Sequence, residues 1–308
     1  MILVTGATGN IGRELLRQLH ADGHAPGVRA LSRDAGRAGP LVPEGVVVVE
    51  GDPGRVETLK PALDGVRSLF LLAGAGADAR VLEAARGAGV EHVVLVSSIT
   101  VVTHPHLGPA RANLAVERRL RESGMEWTVL RPTQFASNTL WWAESVREES
   151  VVRVPYADTG LPTVHPADIA SVARAALTGP DHRGRTYPLT GPERITPRQQ
   201  AGELGRVLGR EVACVGIGRE AAFGPMAAMM GAEVAGSVLD LMGGDVNDEL
   251  LAVHDTVSRV TGSPARPYRA GGDVNDELLA VHDTVSRVTG SPARPYRDWA
   301  EENAAAFR

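Results

Sequence analysis

Cysteine and lysine are nearly absent from this chain of 308 residues. Cys214 is the only cysteine, so neither an internal disulfide nor a thiolate metal cluster can form, and no metal site is expected. Lys60 is the only lysine, although arginine is abundant. Any chemistry that needs a lysine ammonium group must therefore use Lys60 or be excluded.

Clustered positive charge and long apolar runs are also lacking. The formal net charge is −5 and the isoelectric point is near 6.0, which argues against a nucleic-acid partner. Glu233 and Asp240 interrupt the most apolar stretch, residues 223–242, so no membrane-spanning helix is expected. The chain opens on the strand-like run "MILVTG" without a basic and apolar leader, so a cytoplasmic location is expected.

Short β-rich runs alternate with helical runs up to about residue 135. Most of these runs are continuously apolar, as in parallel strands that are buried on both faces. Strands are predicted at 2–5, 27–32, 45–50, 68–73, 92–98 and 127–131. The alternation predicts an α/β fold with a doubly wound parallel sheet. We assign the core to residues 1–132 and a smaller, mostly helical lobe, interleaved with the core, to residues 133–308.

The lobe shows weaker periodicity. Helices are predicted at 166–177 and 196–209, with a strand at 186–191 between them. A further apolar stripe at helical spacing is predicted to face the core, with a methionine-rich surface that grips the substrate as the alternative. Its members are Phe223, Met226, Met230, Val234, Val238 and Leu241.

One segment of the lobe is duplicated without a single change. The run "GGDVNDELLAVHDTVSRVTGSPARPYR" occupies residues 243–269 and again 271–297. Solenoid repeats need several copies, so we assign no function to this duplication. The second copy is expected to dock on the core, because only that copy continues into "DWAEENAAAF".

Three glycines follow the first predicted strand in the run "VTGATGNIGREL", residues 4–15. Gly6 permits a tight turn, Gly9 allows the backbone to approach a pyrophosphate, and Gly12 allows close packing of helix on strand. The N–H groups of Asn10 and Ile11 would face the phosphates at the start of the helix. The context of strand, turn and helix predicts a dinucleotide site.

Several motifs together resemble the NmrA-like group of atypical short-chain dehydrogenases/reductases. They are "TGATGNIG", "ALSRD", "EGD", "SGMEWTVLRPTQFASN", "HPADIA" and "YPLTGPERIT". The resemblance implies a Rossmann-like fold that binds NAD(P)(H), with the lobe on the substrate side. The group includes quinone reductases, redox-sensing regulators and enzymes of secondary metabolism.

Arg33 closes the second strand, where an acidic residue would bind a ribose 2′-hydroxyl. Its guanidinium, assisted by Ser32, can pair with a 2′-phosphate, so NADP(H) is the preferred cofactor and NAD(H) a possible one. A solvated arginine at a strand end is the alternative. Asp52 either accepts from the adenine amino group, as in the family, or caps the turn "DPGR".

The resemblance implies further cofactor contacts at the ends of later strands. Leu72, Ala73 and Gly74 end the fourth strand, where the family's chain passes the nicotinamide ribose. The remaining expected contacts are Thr8, Ser97, Asn113, Pro132 and Phe135.

The usual general acid of short-chain reductases is missing. These enzymes protonate a ketone oxygen with a tyrosine that has a lysine four residues later. Matching "RANLAVE" to the family places Pro109 at the tyrosine position and Asn113 at the lysine position. Ser97 matches the catalytic serine and is kept as a candidate, with hydrogen bonding at a strand end as the alternative.

Three histidines are candidate proton donors. His104 and His106 lie in the loop after the fifth strand, and His165 begins "HPADIA". Each could donate a proton near neutral pH, and an exposed loop histidine is the alternative for each.

Candidate substrate contacts follow the sixth strand. Trp141 and Trp142 could stack on a flat aromatic substrate, although core packing is expected for at least one of them. Thr133 and Asn138 complete this set.

These features predict an NADP(H)-dependent oxidoreductase that moves a hydride to or from a quinone-like or polycyclic aromatic substrate. A tailoring step in aromatic polyketide biosynthesis is one version of this hypothesis. The alternative is a non-catalytic NAD(P) sensor, which would need a protein partner.

Overall fold

The structure is a computed structural model that describes residues 1–74, 78–243 and 274–308. In these ranges nine strands form two sheets: β1 (Ile2–Val4), β2 (Val28–Ser32), β3 (Val47–Glu50), β4 (Ser68–Leu72), β5 (His92–Val96), β6 (Glu126–Pro132), β7 (Val151–Val154), β8 (Arg185–Leu189) and β9 (Ala213–Gly216). The larger sheet has the order β3-β2-β1-β4-β5-β6-β8, and all its neighbouring strands are parallel. The predicted doubly wound α/β fold is confirmed.

Helices cover both faces of this sheet and build the lobe. They are α1 (Asn10–Ala21), α2 (Ala35–Ala38), α3 (Lys60–Leu63), α4 (Asp78–Gly87), α5 (Thr100–Thr103), α6 (Gly108–Glu122), α7 (Ala143–Glu149), α8 (Pro166–Thr178), α9 (Pro197–Leu208), α10 (Arg219–Met230), α11 (Ala232–Gly243), α12 (Val274–Leu279), α13 (Thr284–Thr289) and α14 (Tyr296–Glu302). Short 3-10 turns include Ala136–Trp142 and Ala304–Phe307.

Two apolar layers sandwich the larger sheet. On one face α1 and α8 pack together over Val4, Phe70 and Val94. On the other face α3, α4 and α6 bury residues such as Leu69 and Leu95. The central strands β4 and β5 therefore bury both faces, which explains why their sequences are apolar without alternation.

The chain after residue 132 contributes to both parts of the molecule. Strand β8 is the last strand of the larger sheet and α8 packs on one face of that sheet, whereas β7, β9, α9 and α14 surround a separate apolar cluster. Tyr296, Trp299 and Phe307 are the largest side chains of that cluster. The lobe is thus held by side chains from the C-terminal residues.

The described part of the second copy of the duplicated segment, residues 274–297, packs on the core. Val285 of α13 is 1% exposed and belongs to the layer formed by α1 and α8. Arg294 donates from its backbone N–H to Asp168 Oδ2 over 2.7 Å, and its guanidinium also bonds that carboxylate. Residues 244–273, which hold nearly all of the first copy, lie outside the described residues.

The stripe from Phe223 to Leu241 differs from its prediction. Phe223 and Val234 are 41% and 37% exposed, and Ala222 is the only buried residue of α10. The stripe is divided between α10 and α11, and these helices pack mainly against each other. Several of its apolar side chains therefore remain exposed to solvent. Within the described ranges, no helix is both long and apolar enough to cross a membrane.

Candidate functional site

The glycine loop lies between β1 and α1, next to the end of β4. Gly6 has φ +60°, and a Cβ added there would come within 3.1 Å of Leu72 Cδ2. A Cβ at Gly12 would overlap the carbonyl oxygen of Gly6 and lie 2.8 Å from Ala7 Cα. Both positions therefore need glycine, one for its backbone angle and one for close packing.

The first N–H groups of α1 can bind an anion. Gly9 is the N-cap and offers no side chain to them, because glycine has none. Its own N–H donates to Gly6 O over 2.9 Å, which closes the loop. Thr8, Gly9 and Asn10 are exposed, whereas Ile11 and Gly12 are buried beneath them. This cradle fits a pyrophosphate, because free amide donors and the positive end of the helix dipole meet there.

The adenine side of the expected site lies at the ends of β2 and β3. Arg33 is exposed and takes part in none of the ion pairs found in the described part of the chain. The Ser32 hydroxyl donates to Asp34 O over 2.9 Å, so its proton is already used. Asp52 Oδ1 accepts from the Gly54 N–H over 2.9 Å, which is the capping alternative. Among the described residues, Arg33 thus has a guanidinium without an ion-pair partner at the end of β2.

The expected nicotinamide side of the site begins at the end of β4. Leu72 donates its N–H to Thr5 Oγ1 over 3.0 Å, and Ala73 donates to Val96 O over 3.4 Å. Gly74 has φ +118°, and its N–H donates to Asp78 Oδ2 over 3.0 Å. Leu72 and Ala73 are half-buried and Gly74 is exposed beside the glycine loop.

The hydroxyl group of Ser97 is bonded to the buried carboxylate of Glu117. Ser97 follows β5 and donates its hydroxyl to Glu117 Oε1 over 2.7 Å. Arg131 forms two bonds to the same carboxylate, of 3.0 and 2.7 Å, and Arg121 forms one of 2.9 Å. Half-buried Asn113 lies one helical turn before Glu117 on the same face of α6. The Ser97 proton is therefore not available to a substrate.

The residues after β6 are used mainly for structure. Buried Pro132 accepts from the Ile99 N–H over 3.0 Å. The Thr133 hydroxyl donates to Pro162 O over 2.6 Å and is buried. Half-buried Phe135 forms a β-bridge with Val164 and packs on the main core layer.

His104 and His106 form a pair at the start of α6. Their ring centroids are 6.0 Å apart, and His104 is 2% exposed. Burial, followed by the charge of His106, lowers the pKa of His104 to about 4. Burial also lowers the pKa of His106, against the opposing charge of Asp240 on α11. The lowered pKa values favour the neutral form of both rings at pH 7, and a proton-donor role for either ring stays a prediction.

His165 belongs to a different neighbourhood. Its Nδ1 accepts from the Ala167 N–H over 3.0 Å, so the ring caps α8 and carries its proton on Nε2. That Nε2 lies 3.4 Å from Glu302 Oε2. Burial, and then the charge of Arg294, lowers the pKa of His165 to about 4. These contacts give His165 a capping role at the start of α8, and its role as a proton donor stays a prediction.

Trp141 and Trp142 lie in different environments. Trp142 is half-buried against the lobe cluster, as expected for one of the pair. Trp141 is 51% exposed, and Asn138 nearby is half-buried. Trp141 therefore remains the candidate for stacking. Among the described residues, no group of three or more His, Cys, Asp or Glu side chains is arranged to hold a metal ion.

Glu117 and Arg131 were missed from the sequence. Glu117 lies on the face of α6 that also buries Val116 and Leu120, where a charged residue is unusual. An acidic residue at such a position signals a buried partner. Arg121 lies four residues later on the same helix, but Ser97 and Arg131 come from the end of β5 and from β6, so these two partners could not be inferred from spacing.

Comparison with known proteins is consistent with this geometry. A protein-family model described as NAD(P)H-binding matches residues 6–180. The chain is 42% identical to the (4-alkanoyl-5-oxo-2,5-dihydrofuran-3-yl)methyl phosphate reductase of Streptomyces griseus, over 87% of this chain and 95% of that protein. It is 35% identical to an NAD(P)H azoreductase of Xenophilus azovorans, again over 87% and 95%.

A solved structure extends the similarity to the whole chain. The crystal structure of an NADPH-dependent quinone oxidoreductase from Escherichia coli superposes with a TM-score of 0.74 at 26% identity, covering 100% of both chains. All three relatives are named as reductases or oxidoreductases, which does not favour the non-catalytic sensor. The chain belongs to the NAD(P)H-binding family and is an NAD(P)-dependent oxidoreductase.

Proposed function

We propose that this oxidoreductase transfers hydride from NADPH to a flat, electron-poor conjugated acceptor of the quinone type. The observation that carries the proposal is the missing acid: Pro109 and Asn113 occupy the positions of the family's tyrosine and lysine. Burial lowers the pKa values of the neighbouring His104 and His106, which disfavours their imidazolium forms at pH 7. The substrate must therefore be one whose reduced form needs no strong acid.

The chemistry of a quinone meets this condition. NADPH, when bound, supplies the hydride, and a quinone that receives it becomes a phenolate, whose conjugate acid has a pKa of about 10 by analogy with tyrosine. Water can protonate a phenolate after the hydride step. A simple ketone would instead give an alkoxide, which needs a proton in the transition state. In this proposal the chain supplies binding and orientation, with Trp141 as the exposed ring for stacking.

A second candidate substrate has the same electronic character. The compound in the name of the Streptomyces relative contains a ring double bond conjugated to two carbonyl groups, and hydride addition to such a bond gives a stabilised enolate. The 42% identity over 95% of that relative favours an acylated, phosphorylated butenolide. Parallel kcat/KM measurements on a quinone and on such a butenolide phosphate decide between them. An aromatic polyketide as the natural acceptor stays a prediction.

Ketones and quinones should differ strongly as substrates. A general acid contributes about 10²–10⁴-fold to a rate, so we expect kcat/KM for a quinone to exceed that for an aliphatic ketone by at least about 100-fold. Oxidation of NADPH, followed by its absorbance, measures both. Rapid turnover of the ketone, unchanged when His104, His106 and His165 are replaced by glutamine, would show that another acid exists.

Arg33 should set the preference for NADPH. A charge-assisted hydrogen bond contributes about 1.5–3 kcal/mol, so the unmodified protein should bind NADPH at least about tenfold more tightly than NADH. Arg33→Ala should remove most of this difference, as measured by titration of the intrinsic tryptophan fluorescence. Arg86→Ala, at an exposed arginine on the last turn of α4, is the control. Equal binding of both nucleotides by the unmodified protein would contradict the assignment.

A further inference from the structure

Glu117 combines complete burial with an excess of positive partners. Its side chain is 0% exposed, and both Arg131 and Arg121 pair with it. Burial alone would raise the pKa of this carboxyl, but the bonds from Arg131 and Ser97 and the two positive charges hold it below its usual value. Glu117 is therefore a carboxylate at neutral pH, and it can only accept hydrogen bonds.

The bond from Ser97 consequently has a fixed direction. The Ser97 hydroxyl must donate its single proton to Glu117 Oε1, over 2.7 Å. The oxygen of Ser97 then presents lone pairs, so it can accept a hydrogen bond from a ligand but cannot donate one. A catalytic serine that donates to a substrate oxygen is excluded by this arrangement.

Ser97 lies at the nicotinamide end of the expected cofactor path. It directly follows β5, whose Val96 accepts from Ala73 at the end of β4. The strand order β2-β1-β4-β5 places Arg33, the glycine loop, Ala73 and Ser97 in that sequence along one edge of the sheet. A dinucleotide with its 2′-phosphate at Arg33 and its pyrophosphate at the loop extends its nicotinamide half towards Ser97.

We propose that Glu117 is a positioning residue that holds Ser97 as a hydrogen-bond acceptor for a donor group on the nicotinamide half of the cofactor, either the carboxamide N–H or a ribose hydroxyl. The proposal rests on NAD(P)H binding and not on the choice of substrate. In this proposal Ser97 contributes to cofactor recognition and does not donate a proton to the substrate. No proton leaves Ser97 or Glu117 during turnover.

The test separates the two halves of the cofactor. We would titrate Ser97→Ala and Glu117→Gln with NADPH and with 2′-phospho-ADP-ribose, which lacks nicotinamide. Loss of one hydrogen bond should weaken NADPH binding about five- to tenfold in each variant. Binding of 2′-phospho-ADP-ribose should not change. The double variant should bind NADPH as the single variants do, because both remove the same interaction.

A matched control addresses the structural role of the ion pairs. Arg121 also pairs with Glu117 but does not contact Ser97, so Arg121→Ala should leave the affinities for both probes unchanged. Equal weakening of both probes in Glu117→Gln would overturn the proposal. So would unchanged NADPH binding in Ser97→Ala, which removes only a hydroxyl group and stays informative if Glu117→Gln does not fold.

Discussion

Lowering the pH from 7 to 5 is expected to reduce the free energy of unfolding by several kcal/mol. Three buried histidines carry this effect, because His92, His104 and His165 are each 2% exposed. Burial is the largest cause that lowers their pKa values to about 4, with charges from Arg183, His106 and Arg294 as the next causes. The unfolded chain titrates these rings near 6.5.

The sign follows from proton uptake. Between pH 6.5 and 4 the unfolded chain binds protons that the folded chain does not, so acid favours unfolding. Each histidine then costs about 2 kcal/mol between pH 7 and pH 5, and the three together about 6 kcal/mol. Asp168 and Glu302 oppose this trend, because burial raises the pKa of both carboxyls. The net loss is a large part of the stability of an ordinary domain.

Urea unfolding at pH 7, 6 and 5 measures this loss. His104→Gln should reduce the pH-dependent part by about 2 kcal/mol, because one titrating ring is removed. The same exchange at exposed His24 is the control and should leave the pH dependence as it is. A free energy of unfolding that stays constant from pH 7 to pH 5 would contradict the assignment of these buried neutral rings.

Gly12→Ala is expected to lower the affinity for NADPH by about 100-fold. The new methyl group would overlap the Gly6 carbonyl, so the glycine loop must move away from α1. Displacing the amide cradle would weaken about two hydrogen bonds to the pyrophosphate, each of them charge-assisted. The strain of the added carbon should also cost about 1–3 kcal/mol of stability.

The chain offers a matched control for this exchange. Gly202 is also a glycine inside a helix, but a Cβ added there would meet nothing within 4 Å. Gly202→Ala should therefore stabilise the protein by about 0.5–1 kcal/mol, because alanine is the better helix former. Its NADPH affinity should not change. Tight NADPH binding by Gly12→Ala would mean that the loop does not hold the pyrophosphate.

The family, the sheet and the cofactor class could be predicted because their signals are local. The spacing of Gly6, Gly9 and Gly12 itself specifies a turn that packs on a helix, and the strands at 68–73 and 92–98 are apolar enough to indicate burial on both faces. These predictions of fold and family are confirmed.

The protonation states and the partners within the site could not be predicted. Nothing in "TVVTHPHLG" shows that His104 is buried. The groups around its ring include Asp240, which is far away in the sequence. Similarly, Glu117 and Arg131 come from a helix and a strand, so no local pattern connects them. The apolar stripe beginning at Phe223 has helical periodicity, but only some of its side chains are covered by other parts of the protein.

The bond between Asp168 and Arg294 joins residues that are 126 positions apart. At a synthesis rate of 5–20 residues per second, Arg294 is added roughly 6–25 s after Asp168. Tyr296, Trp299 and Phe307, which fill the lobe, emerge still later. The larger sheet has most of its strands long before that moment, whereas the apolar core of the lobe is still incomplete. A ribosome-bound chain that still lacks these residues should therefore expose apolar lobe surface to chaperones and proteases while its glycine loop is already formed.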